Sequence, residues 1–85
     1  MKLTIDSRRN VAYISFHEKR AQVETIRVSD ELNVDLAPDG TVYGIELLNA
    51  NEQLRGDDGG VLVVVNDVLG KLVEVDLGLT GGRRK

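Results

Sequence analysis

Apolar side chains in this sequence recur at every second residue. Leu3 and Ile5 are separated by Thr4, Ala12, Ile14 and Phe16 by Tyr13 and Ser15, and Leu32, Val34 and Leu36 by Asn33 and Asp35. A period of two, carried largely by branched side chains, places one set of residues on each side of a pleated strand and does not line one face of a helix. The chain is therefore expected to fold as a mainly β, antiparallel sheet with one apolar and one polar face. With 85 residues there is room for a single small domain, expected over residues 1–80.

The connections support that expectation. Asp6-Ser7-Arg8-Arg9-Asn10 is rich in residues that bond their own backbone in turns, and it is short enough to join two strands as a hairpin. His17-Glu18-Lys19-Arg20-Ala21 reads the same way before a third strand near residues 22–28, where Val23 breaks parity with Ile26 and Val28 and points to a bulge or an edge position. The sharpest local signal is Ala37-Pro38-Asp39-Gly40, with Pro where φ near −65° is needed and Gly where φ is positive. It leads into a strand over residues 41–48, on which Tyr43, Ile45 and Leu47 share a face and Gly44 leaves space for a neighbouring backbone or ring. Residues 2–48 thus read as an antiparallel β-meander of about five strands.

Beyond Leu48 the period changes. Asn49, an N-cap type of residue, precedes a short helix ending at Arg55-Gly56, and Asp57-Asp58-Gly59-Gly60 reads as a flexible break. Val61 to Val65 and Lys71 to Leu77 then flank Asn66 to Gly70 and predict a C-terminal β-hairpin, with a helix over residues 61–73 as the competing reading. The strand at Val61 is apolar on both faces. It must lie centrally in the sheet beneath the short helix or meet a second chain, because a bare apolar edge aggregates. Val63 and Val64 are therefore interaction candidates, and a homodimer is expected.

Charge narrows the partners. The chain has 11 basic and 14 acidic residues, and without Arg83, Arg84 and Lys85 the count is 8 against 14, a net −6. An acidic body lacks the basic stripe that nucleic-acid binding requires, and the terminal Gly81-Gly82-Arg83-Arg84-Lys85 reads as a disordered basic tail. There is no cysteine, which fits a cytoplasmic, reducing compartment and removes thiolate metal sites. No apolar run approaches the roughly 20 residues of a membrane span.

Catalytic constellations are weak. His17 is the one imidazole, and Ser7, Ser15 and Ser29 lack the setting of a nucleophile. Asp57 and Asp58 lack the alternating ligands of a calcium loop. Asp35 and Glu46, on strands flanking the Pro38 turn, could approach as a carboxylate pair, but a structural role for Glu46, pairing with Arg27 or accepting amides at the helix start, is the simpler reading. No cofactor or metal is expected.

Two blocks carry a family likeness. Ile5-Asp6 followed by Asn10-Val11-Ala12-Tyr13-Ile14, and Asn33 through Ala50 with its Asn-Val-Asp strand, Asp-Gly turn and Gly44-Ile45-Glu46-Leu47-Leu48-Asn49-Ala50 run, resemble the YuzE-like family of small proteins, a domain of unknown function. The resemblance implies a compact β-rich protein with a short helix after the Gly-Ile-Glu strand. It also implies an antitoxin-like, non-catalytic interaction module that binds a small basic protein. The residues proposed for interaction are Tyr13, Asp35, Tyr43, Glu46, Val63 and Val64. A small hydrolase or nucleic-acid enzyme, or a purely self-assembling protein, are the alternatives.

Overall fold

In the computed structural model, residues 1–18 and 22–79 are described. The expected tail at residues 81–85 lies outside them. The order of elements is β1 (Lys2–Asp6), β2 (Val11–Ser15), β3 (Glu24–Ser29), β4 (Leu32–Leu36), β5 (Val42–Leu48), α1 (Ala50–Arg55), β6 (Val61–Asn66) and β7 (Lys71–Asp76). The chain divides into two compact units, Met1–Ala50 and the remainder from Asn51.

The first unit is a five-stranded antiparallel sheet in the order β1-β2-β5-β4-β3. The strands are those the alternation predicts, but β2 pairs with β5, so β2 and β3 are not the paired neighbours expected. Locally the two possibilities look alike, since a strand's period does not say which strand lies beside it. The β1–β2 turn closes as expected, with Asp6 Oδ1 accepting from the amides of Arg8 (3.1 Å) and Arg9 (3.2 Å). In the Pro38 turn, Gly40 at φ 92° donates its amide to the Ala37 carbonyl at 2.9 Å. β3 is both an edge strand and bulged, its register shifting between Arg27 and Ser29.

Register sorts the side chains into two faces. On one, Leu3, Ile14, Ile45, Val34 and Ile26 form a rung across all five strands, and Ile5, Ala12, Leu47 and Leu32 form the next. On the other, Thr4, Tyr13, Glu46, Asn33 and Arg27 align, followed by Lys2, Ser15, Gly44, Asp35 and Thr25. Among the described apolar residues only Ala12 and Ala50 are buried, and no large side chain among them is fully enclosed.

One end of this unit is tied by two asparagines with left-handed backbones, Asn10 (φ 59°) and Asn49 (φ 53°). Asn10 Nδ2 donates to Asn49 Oδ1 (3.2 Å), Asn49 Nδ2 donates to Glu31 Oε2 (2.9 Å), and the Ala50 amide donates to the Asn10 carbonyl (3.0 Å). Asn49 is thus a strap between turns and not the expected N-cap, because its positive φ departs from the extended backbone a cap requires.

In the second unit Gly56, at φ 54°, ends α1 as a left-handed C-terminal glycine. The following residues form a hydrogen-bonded turn, not the flexible break expected from their composition. Asp58 Oδ1 accepts from the Gly60 and Val61 amides at 3.3 Å each, and the Gly60 amide also reaches the Arg55 carbonyl at 2.8 Å. β6 and β7 form the predicted hairpin, with Asn66 Oδ1 accepting the Leu69 amide at 3.1 Å inside its turn. This excludes a helix over residues 61–73. The hairpin is a two-stranded sheet of its own, so β6 is not the central strand that was one way to cover it.

Candidate functional site

Two groups of residues compete as the functional surface. The first lies on the polar face of the five-stranded sheet. Gly44 of β5 sits beside Ser15 on one side and Asp35 on the other, and the Tyr13 ring lies over it, in the space a Cβ would occupy. This is the ring-on-glycine packing the sequence predicts. Reaching across the glycine, the Tyr13 hydroxyl donates to Asp35 Oδ2 at 2.7 Å, while the Thr25 hydroxyl donates to Asp35 Oδ1 at 2.6 Å.

Asp35 is 6% exposed, and a buried carboxylate is tolerated only when donors replace the water it lost. Two hydroxyls from β2 and β3 meet that need. One rung away, Asn33 Nδ2 donates to Glu46 Oε1 at 2.8 Å. Arg27 instead engages Asp30 at 2.8 Å, so the expected Arg27–Glu46 pair does not form. The i,i+3 carboxylate lies in the adjacent turn and is closer along the chain.

Tyr13, Thr25, Asp35 and Glu46 together line a shallow open depression of about 230 Å³. The structure therefore brings three of the predicted residues, Tyr13, Asp35 and Glu46, to one place. Thr25 and Asn33 join them without having been foreseen; only the register between β3, β4 and β5 reveals their place. Tyr43 lies elsewhere, at the β5 bulge between the paired Val42 and Gly44, with its ring 5.2 Å from that of His17. Among the described residues no three of His, Asp and Glu converge as a metal site needs. A wider trough of about 660 Å³ runs beneath the Pro38 turn, lined by Gln22, Val23, Glu24, Leu36, Ala37, Pro38 and Gly40.

The second group is the hairpin. Its register puts Leu62, Val64, Val73 and Val75 on one face, and Val63, Val65 and Leu72 with Glu74 and Asp76 on the other. Residues 62–65, Leu72, Val73 and Val75 are between 41% and 62% exposed, and Val68 in the turn reaches 94%. Val63 and Val64 thus point to opposite faces, both open.

The comparison that decides family membership concerns the first unit. The family described as Protein of unknown function (DUF2283) matches residues 2–51. The chain belongs to this family. The resemblance read from the two sequence blocks is thereby borne out at the level of an unknown-function family; neither the YuzE-like name nor an antitoxin role follows from it. No curated protein and no solved structure matches the chain.

The DUF2283 match ends where the first compact unit ends, so Tyr13, Asp35, Tyr43 and Glu46 fall within the family region and Val63 and Val64 beyond it. The polar network is part of the DUF2283 sheet. The apolar hairpin lies beyond the matched residues. Among the described residues no helix is long and apolar enough to cross a membrane.

Proposed function

We propose that this chain is a non-catalytic protein-interaction module that docks through its C-terminal hairpin. The observation that carries this reading is the hairpin's exposed apolar surface, open on both faces. A lone two-stranded hairpin is marginal in water, and an apolar patch of this kind marks an interaction site in a soluble protein.

The partner is a small basic protein, in an antitoxin-like arrangement. Support comes from the acidic balance of the chain, 14 acidic against 11 basic residues, and from Glu74 and Asp76 beside the valines of one hairpin face. Such an edge both steers a cationic partner and leaves apolar area to bury against it. The module acts as a homodimer in the cytoplasm, a setting in keeping with its lack of cysteine.

The geometry of the polar face also supports a non-catalytic reading. Both oxygens of Asp35 already accept hydroxyl hydrogens, and Glu46 holds Asn33. These groups fasten strands to each other. The experiment is to co-express the tagged chain with its natural gene neighbours and weigh the purified complex by native mass spectrometry. A small basic chain in fixed ratio, lost in Val73→Lys and in Glu74→Lys/Asp76→Lys variants, is the expected result. Recovery of this chain without such a partner would overturn the reading.

A further inference from the structure

The two edges of the hairpin differ. In an antiparallel ladder, pairs that exchange both backbone hydrogen bonds alternate with pairs whose amides and carbonyls point outward. The Leu77 amide donates to the Gly60 carbonyl at 2.9 Å, which makes that a bonded pair. Stepping by two along the register makes Leu62/Val75, Val64/Val73 and Asn66/Lys71 bonded pairs as well. The backbone groups of Val61, Val63 and Val65 then face away from β7. The Val61 amide agrees, since it turns outward to Asp58 Oδ1 at 3.3 Å.

On the outer edge of β7 the corresponding residues are Leu72, Glu74 and Asp76. Pairing β7 with itself would set carboxylates against carboxylates, which is unfavourable. Natural edge strands are protected by such charges, by proline or by bulges. From Val61 to Val65, β6 has none of these. A run of five uncharged apolar residues is also matched by itself when reversed, as a two-fold axis requires.

Resting on the interaction reading above, we propose that β6 pairs edge to edge and antiparallel with β6 of a second copy of this chain, with Val63 opposite Val63 across the two-fold axis. In that register Val61 faces Val65 of the other copy, Leu62 faces Val64, and both outward groups of Val63 and the outward amide of Val65 find partners, while the Val61 amide stays with Asp58. The product is a four-stranded sheet, β7-β6-β6-β7, which passes the size at which strands become stable together. Leu62, Val64, Val73 and Val75 of both copies then form two continuous apolar rungs of four. Of the exposed apolar residues of the hairpin, Leu62, Val63, Val64 and Val65 lie along the paired edge. The second copy is the occupant favoured at this edge because β6 offers a cationic partner no charge, whereas β7 does.

The test uses the full chain. Sedimentation across a dilution series should show a species of twice 9.3 kDa. Val63→Pro removes an outward amide without touching the β6–β7 ladder and should weaken dimerisation by roughly tenfold or more, whereas Glu74→Pro on the outer edge of β7 should leave it unchanged. Because the chain has no cysteine, Val63→Cys should give a covalent dimer on mild oxidation and Leu72→Cys should not, a readout that survives if a proline variant misfolds. A monomer at every concentration overturns the pairing, as does a dimer that both prolines weaken alike or that Leu72→Cys cross-links as readily as Val63→Cys. A monomer that still captures the basic partner overturns the β6 pairing while leaving the interaction reading in place.

Discussion

Position 44 has no room for a methyl group, because the Tyr13 ring already fills the space a Cβ would take. Gly44→Ala is expected to push that ring aside, separate its hydroxyl from Asp35, and cost about 1–3 kcal/mol in urea unfolding. Tyr13→Phe keeps the ring and removes the hydroxyl that donates to Asp35 Oδ2, leaving a buried acceptor short of a donor, so a loss of about 1–3 kcal/mol should appear in the same measurement. Asp39 adds a pH dependence. Hydrogen bonds from Thr41, side chain first and then backbone, hold its carboxyl below the usual carboxylate value of 3.8. A carboxyl lowered in the folded state adds stability that is present above its ordinary value and is lost as pH falls through the lowered one. The acid limb of a plot of melting temperature against pH should therefore be flatter in Asp39→Asn than in the parent chain, with the two converging at the lowest pH. Residue-level chemistry of this kind was partly legible in advance. The ring over Gly44 follows from a glycine on a paired strand, and the turn at Asp39 from its Pro and Gly neighbours. That Thr25 and Asn33 complete the network was not, because their place depends on strands that meet only in the folded sheet.

At the scale of elements, alternation locates strands and leaves their order open. All seven strands and the helix fall close to where parity, turns and capping residues put them, and even the irregular third strand is bulged and at an edge. The pairing of β2 with β5 could not be read from either strand alone. β5 does stand out as the longest strand, flanked on both sides and carrying the glycine over which a neighbour packs, all properties of a central position. The helix end is a sharper case. Gly56 adopts φ 54° immediately after Arg55, so Gly56→Ala should destabilise the second unit by about 1 kcal/mol, measurable as faster amide exchange in β6 and β7. Asn49 shows the opposite lesson, since a residue type that caps helices was recruited as a strap because its backbone turned left-handed.

For the whole molecule, the scarcity of enclosed side chains matters most. With only Ala12 and Ala50 buried among the described apolar residues, the hydrophobic contribution of one chain by itself is small for its length. If self-pairing supplies the remainder, the melting temperature should rise with protein concentration, by the mass-action dependence that any folded-state association imposes. Differential scanning calorimetry over a wide dilution series checks this, and a midpoint independent of concentration would speak against it. Such dependence is only indirectly legible in the sequence, as a strand with too many valines for the surface available to cover them. The aromatic residues have an optical consequence of their own. Phe16, Tyr13 and Tyr43 all precede Asn51, and the chain contains no tryptophan. Ultraviolet emission and near-ultraviolet dichroism will therefore follow the DUF2283 sheet while the hairpin stays dark, and a single clean tyrosine transition will carry no information about whether β6 and β7 have come apart.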